Sequence, residues 1–224
     1  MTLFQEGLSL VIFDLDGTLI DAFADITNAV NYIRELNDLP PLQTDDVKLY
    51  VGHGARQLVE GVLNSTEPEF IDKNLALLVK YYEDLEQSGA SQARPYDGVI
   101  ETVEWLREHG IKTAIATNKP HSVTVRLIEQ LGIGPLFDVV LGESSAIPRK
   151  PAPDMLNEIM KLAGATAPET LMVGDTVVDI ASARAAGVKV AVVTYGQQTE
   201  DVLALDSPDL FLQKMPDLVT VMQV

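Results

Sequence analysis

Apolar residues along this chain fall in short, nearly unbroken runs. They occupy residues 8–14 (LSLVIFD), 111–117 (IKTAIAT), 138–142 (DVVLG), 170–175 (TLMVGD) and 188–196 (VKVAVVTYG). A half-wet antiparallel sheet would show strict alternation of apolar and polar positions. Unbroken, β-branched runs instead predict strands covered on both faces. Between the later runs the pattern turns helical, over residues 98–109, 121–131, 152–163 and 177–186. Gly110, Gly132, Gly164 and Gly187 sit at the ends of these segments, where C-terminal caps belong. Strands alternating with helices of this length predict βαβ units: an α/β fold with a parallel, Rossmann-like sheet and helices on both faces.

One interval breaks the rhythm. Between Ile20 and Arg94 the pattern is helical only, in DITNAVNYIREL, GARQLVEGVL and EFIDKNLALLVKYYEDLEQ. This predicts an inserted α-helical subdomain at residues 19–94, dividing an α/β core built from residues 1–18 and 95–224. The turn-like Pro95-Tyr96-Asp97-Gly98 marks the return to that core.

Composition narrows the chemistry. The 224 residues suffice for one large domain or two small ones. Sixteen Lys and Arg against 33 Asp and Glu give a formal charge of -17, which argues against binding nucleic acid through its phosphates. The same charge disfavours an anionic membrane surface. There are no cysteines, so thiolate nucleophiles, disulfides and Cys-ligated zinc are excluded. The N-terminus lacks the basic region and cleavage site of a signal peptide, and no apolar stretch is long enough to span a bilayer. A soluble, cytoplasmic protein is expected.

Ligands of an open parallel sheet gather outside the carboxyl ends of its strands. Four of the predicted strand ends carry residues with chemical capacity. The first has Asp14 and Asp16, the second Thr117-Asn118-Lys119, the third is followed by Lys150, and the fourth has Asp175 with Asp179 beyond it. Taken singly, each has a plain structural reading: a strand-end turn, a helix N-cap, a surface lysine, a solvated first-turn acid. Taken together, several carboxylates converging on one crevice are unfavourable without a cation among them. Hard oxygen ligands without His or Cys specify Mg²⁺ rather than zinc. Mg²⁺ usually completes its shell with substrate phosphate, so the set implies a phosphorylated ligand. An aspartate can attack phosphorus itself, and a second carboxyl group nearby can move the protons of both half-reactions.

With these residues in view, the chain resembles the haloacid dehalogenase superfamily of phosphohydrolases over nearly its full length. Asp14-Leu15-Asp16-Gly17-Thr18 is similar to the first motif of that family, Thr117 to the second and Lys150 to the third. Gly174-Asp175 with Asp179 is similar to the fourth. The resemblance implies that Asp14 is the nucleophile and Asp16 the acid/base, with Thr117 and Lys150 completing the catalytic set. It implies Mg²⁺ held by the Asp14 carboxylate, the Asp16 backbone carbonyl and Asp175, while Asp179 supports the metal site or Lys150. The helical insertion would be the cap of this family. Asp16 points to phosphoryl transfer, because members that cleave carbon–halogen bonds have no alkoxide to protonate.

Residues 51–59 (VGHGARQLV) resemble the cap segment of bacterial phosphoglycolate phosphatases, as do Pro148-Arg149-Lys150-Pro151 and Val193-Thr194-Tyr195-Gly196. Two departures are His53, where Asn is common, and Glu143-Ser144, which replaces Gly-Asp. The glycines of this segment let backbone approach a ligand, and a helix start after them presents N–H groups to an anion. Gly52, His53, Gly54, Arg56 and Asn118 are therefore candidate substrate-binding residues. For His53 and Arg56 a plain helix-start or solvated position is an equal alternative. The resulting expectation is a Mg²⁺-dependent phosphatase, monomer or homodimer, acting on a small phosphorylated metabolite, with 2-phosphoglycolate the first candidate. A phosphotransferase or mutase is the alternative, disfavoured because residues 19–34 lack the hinge His of the family's sugar-phosphate mutases. A phospho-acceptor signalling module is a further alternative, set back by a nucleophile on the first strand with an insertion behind it.

Overall fold

The computed structural model describes residues 7–144 and 146–222. Residues 1–6 and 223–224, at the outer ends of the expected core, lie outside the described residues, as does residue 145. The chain enters the sheet on β1 (Leu10–Phe13), crosses a two-residue strand β2 (Ile20–Asp21), and forms α1 (Phe23–Glu35), α2 (Thr44–Lys48), α3 (Ala55–Leu63) and α4 (Pro68–Ser88). It returns through β3 (Arg94–Pro95) to α5 (Val99–Glu108), β4 (Lys112–Pro120), α6 (His121–Gln130), β5 (Val139–Glu143) and α7 (Asp154–Ala163). The remaining elements are β6 (Thr170–Gly174), α8 (Val177–Ala186), β7 (Lys189–Val193), α9 (Glu200–Ala204), β8 (Leu210–Leu212) and α10 (Asp217–Met222).

Six strands form one sheet in the order β5-β4-β1-β6-β7-β8, and every neighbouring pair is parallel. The unbroken apolar runs are explained by what covers each face. Val11 and Phe13 of β1 pack with Val103 and Leu106 of α5 and Ile128 of α6. Leu10 and Ile12 point the other way, into a cluster with Met155 and Ile159 of α7 and Ile180 and Ala183 of α8. All four β1 side chains are fully buried, and each such aliphatic or aromatic side chain contributes roughly 1.5–3 kcal/mol relative to exposure. β8 carries only Leu210, Phe211 and Leu212, too short a run to stand out as a strand in the sequence.

The helices α1 to α4 stand between β2 and β3, which pair antiparallel as Ile20 with Pro95 and Asp21 with Arg94. That two-residue ladder sits where the sequence predicts no strand at all. Ile26, Val30 and Ile33 of α1, Val59 and Val62 of α3, and Ile71 and Leu78 of α4 form the apolar centre of the insertion. The same cluster continues without a break into the α5/α6 face of the sheet. Among the described residues, no helix is long and apolar enough to cross a membrane.

The chain leaves β1 for β4 on one side and reaches β6 on the other. The carboxyl ends of β1, β4 and β6 therefore border the point where strand order reverses, the place where parallel sheets open a crevice. Within β4, pairing with β5 shifts register between Ala116 and Pro120. Thr117, Asn118 and Lys119 drop out of that ladder, and all three line the crevice.

Candidate active site

Asp14 extends the β1 ladder by one bond, its N–H donating to the Val173 carbonyl at 2.9 Å. The chain then turns back at Gly17, whose φ of +86° suits glycine alone. The turn also demands glycine for space: a Cβ there would lie 2.2 Å from Asp175 Oδ2. This close approach carries Thr18 to Asp175, where its hydroxyl donates to Oδ1 at 2.9 Å. From the other side, the Gln197 N–H donates to Asp175 Oδ2 at 2.7 Å.

Lys150 joins two of the motifs. Its Nζ lies 3.0 Å from Asp14 Oδ1 and 2.6 Å from Asp179 Oδ1, with the side chain 1% exposed. Asn118 fixes the Lys150 backbone, accepting from its N–H at 3.0 Å and donating to its carbonyl at 2.8 Å. The Lys150–Pro151 peptide bond is cis. Asp179, in the first turn of α8, uses its second oxygen to accept from Thr176 N at 3.0 Å, Thr176 Oγ1 at 2.7 Å and Asp175 N at 3.3 Å. That is a capping box, with Thr176 as N-cap and Asp179 at N3 reaching back to its N–H.

Carboxylate oxygens of Asp14, Asp175 and Asp179 lie within 4.8 Å of one another, all buried. Burial raises the Asp14 carboxyl to about 6; Lys150 opposes the shift and Asp179 adds to it. Asp175 is pushed well above the ordinary carboxylate range by burial, then by Asp179 and Asp14. Burial lowers the Lys150 pKa, but Asp14 and Asp179 outweigh it and raise the pKa overall. Three acids against one ammonium leave the cluster short of positive charge. A hard divalent cation fits that deficit and the all-oxygen donor set. Asp179 spends Oδ1 on Lys150 and Oδ2 on three donors, whereas each Asp175 oxygen accepts one hydrogen bond and the contacts of Asp14 fall on Oδ1, so Asp14 and Asp175 have more lone-pair capacity to offer it.

Asp16 stands apart from this cluster. Its carboxylate meets Lys119 Nζ at 3.0 and 3.2 Å, and the same ammonium lies 5.0 Å from the ring centre of Tyr82, on α4 of the insertion. Burial, then Asp16 and Asp25, raise the Tyr82 phenol well above its usual range, so its ring faces the lysine uncharged.

A pocket opens over these groups. Asp14, Asp16, Thr117, Asn118 and Lys119 line it from the core, and Ile26, Leu58, Leu78 and Tyr82 from the insertion. Gly52 and Gly54 border it as well. The Asn118 amide is committed to protein partners, donating to the carbonyls of Gly52 and Lys150, both at 2.8 Å. His53 is exposed and does not line the pocket, and neither does Arg56. Arg56 pairs with Asp72 of α4 and lies 3.9 Å from Glu60. The first amide of α3, on Ala55, donates at 3.3 Å to Glu143 Oε2, whose other oxygen is 3.1 Å from Arg149. Glu143 thus occupies the helix start that sequence reasoning offers to a substrate anion. Sequence reasoning named Lys119 with Thr117 and Asn118 at the same strand end but gave it no role. Thr18, part of the first motif but given no role of its own, and Gln197, which carried no signal, hold Asp175.

Comparison with known proteins gives a consistent result. The family model described as haloacid dehalogenase-like hydrolase matches residues 11–193. Phosphoglycolate phosphatase 1 of Pseudomonas aeruginosa is 35% identical over 216 residues, covering 94% of this chain and 78% of the relative. A phosphoglycolate phosphatase of Caulobacter vibrioides is 33% identical over 218 residues, covering 97% and 92%. Among solved structures, a predicted phosphoglycolate phosphatase from Haemophilus somnus superposes with a TM-score of 0.87 at 27% identity, covering 100% of both chains.

Proposed function

The chain belongs to the haloacid dehalogenase-like hydrolase family, and from that premise we propose that it is a cytoplasmic, Mg²⁺-dependent phosphatase of small phosphate monoesters, 2-phosphoglycolate first among them. The observation that carries this reading is the buried Asp14 carboxylate lining the pocket, in contact with Lys150 and beside Asp175 and Asp179. The substrate class is supported by the similarity to the phosphoglycolate phosphatases of Pseudomonas aeruginosa and Caulobacter vibrioides.

In this reading Asp14 attacks phosphorus and becomes an aspartyl phosphate, splitting one difficult displacement into two. Asp14, Asp175 and the Asp16 carbonyl would hold Mg²⁺, which when bound neutralises the phosphoryl oxygens and lets the anionic nucleophile approach. Lys150 supplies a second, fixed positive charge beside Asp14. Thr117, buried beside the pocket, offers a neutral hydroxyl to a phosphoryl oxygen. Asp16 gives a proton to the departing ester oxygen and later takes one from the attacking water. Asp179 orders Lys150 and the 175–176 backbone. The helices of residues 19–94 act as a cap, closing the pocket with Ile26, Leu58, Leu78 and Tyr82 and so limiting both water and substrate size.

The test is phosphate release from a panel of small esters with and without Mg²⁺. Release is expected with Mg²⁺ alone, with 2-phosphoglycolate favoured. Asp14→Asn should lower kcat by on the order of 10⁴-fold or more, as expected when an attacking group is removed. No release from any ester, or undiminished turnover by Asp14→Asn, would sink the mechanism.

A further inference from the structure

The insertion closes the pocket with side chains that carry no charge: Ile26, Leu58, Leu78 and Tyr82. Among the described residues lining the pocket, Lys119 is the one cation. Every other positive feature nearby is engaged or faces elsewhere. Lys150 is held between Asp14 and Asp179. The start of α3 already carries the Glu143 carboxylate, Arg56 is paired with Asp72, and His53 is exposed outside the pocket.

Lys119 is differently placed. An ammonium has three N–H donors, and among the described residues its only hydrogen-bond partner is Asp16. Its side chain is 6% exposed, so it is desolvated and strong as an anion partner. The Tyr82 ring face holds the charge from the insertion side without consuming a donor. Asp16 is the group that faces the ester oxygen in the phosphatase reading above, on which this inference rests. Any substituent one carbon from that oxygen therefore arrives beside Lys119 Nζ.

We propose that Lys119 is a specificity-determining residue, binding a carboxylate carried one carbon from the ester oxygen of the substrate. Such a carboxylate shares the ammonium with Asp16 and fills the uncharged end of the pocket. An ester ending in a neutral group gains nothing from Lys119.

The experiment compares the Mg²⁺-loaded enzyme on 2-phosphoglycolate and on 2-hydroxyethyl phosphate, which replaces the carboxylate by a neutral hydroxymethyl group. The readout is the ratio of kcat/KM for the two esters within each variant, so a general loss of activity cancels. The wild type is expected to favour 2-phosphoglycolate. Lys119→Met should shrink that preference on the order of 100-fold, chiefly through KM, as expected when one partner of a buried charge pair is removed. Lys119→Arg should keep most of it. An unchanged ratio in Lys119→Met overturns the assignment while leaving the phosphatase reading intact, because it would show that Lys119 serves Asp16 or the fold alone. A wild type that prefers the neutral ester overturns the assignment in the same way. A wild type that hydrolyses neither ester overturns the phosphatase reading, and this inference with it.

Discussion

Two lysines flank the Asp14-Leu15-Asp16 pair, each beside one of its aspartates, and they are built differently. Lys150 takes its partners from the α/β core: Asp14 from β1, Asp179 from α8, and Asn118 from β4 for its backbone. It is 1% exposed, and none of these direct partners belongs to the insertion. Lys119 takes one partner, Asp16, from the core and the other, Tyr82, from the insertion. Its surroundings are assembled only when the two meet. The difference separates two tasks: the chemistry common to a family can be fixed inside one rigid unit, whereas discrimination can be left to a boundary that forms around the ligand.

The sharpest way to break that comparison is to remove the core lysine. Lys150→Met strips the one ammonium from Asp14 and Asp179, leaving buried carboxylates facing one another. Breaking a buried ion pair from one side costs about 3–5 kcal/mol, so the variant should melt well below the wild type. Its kcat should fall by roughly 10²–10³-fold on both esters alike, because the lost charge acts on the phosphoryl group they share. A Lys150→Met that altered the ratio between esters, as predicted for Lys119→Met, would erase the division of labour.

A smaller effect concerns protons and the cation. Asp14 is raised from the usual 3.8 to about 6, with burial the leading cause. The folded chain thus binds this proton more tightly than the unfolded chain does. Without a cation, stability should fall as pH rises from 3.8 to about 6, as Asp14 is forced to ionise while buried. The Mg²⁺ proposed above would work in the opposite direction, because it would need the ionised carboxylate. Its affinity should therefore drop about tenfold per pH unit for each proton displaced, below pH ~6. Titration calorimetry at several pH values, in buffers of different ionisation enthalpy, would count those protons. An affinity flat between pH 5 and 7 would contradict the shift that burial imposes on Asp14.

The legible parts of this molecule are those whose signal lies within a few residues. β1, β4, β5, β6 and β7 stand out because the sheet is covered on both faces, and α8 runs over residues 177–186 as its pattern predicts. Asp14, Thr117, Lys150 and Asp175 stand at the ends of, or just beyond, such runs, and the fold brings them to one crevice. What escaped depends on tertiary contact. β2, β3 and β8 are too short for any periodicity. Arg56 reads as a free cation until its helix is set against Asp72 of α4. Lys119 is visible at a strand end, but Tyr82 gives it its setting and belongs to a helix of the insertion. Glu143 is the clearest case: its partner is a backbone amide, which has no letter in the sequence.

Glu143 also offers the finest cut through the comparison. It lies on the same boundary as Lys119, with its carboxylate 3.3 Å from the Ala55 amide, yet it does not line the pocket. If the boundary contributes only by holding the insertion down, Glu143 and Lys119 should act alike. If Lys119 meets the substrate itself, they should differ in kind. The Glu143 contact is partly exposed and shared with Arg149, so its worth should be small, about 0.3–1 kcal/mol for a carboxylate at a helix start. Glu143→Ala should then raise KM only about twofold to fivefold, equally for both esters, since that energy is lost from closure and not from recognition. Added salt should reduce the difference, because a contact open to solvent is screened within about 10 Å at 0.1 M. The Lys119 effect, buried and aimed at one substituent, should persist at the same salt. An Glu143→Ala enzyme whose ester preference shifted as strongly as that of Lys119→Met would show that closure, rather than a charge in the pocket, does the choosing.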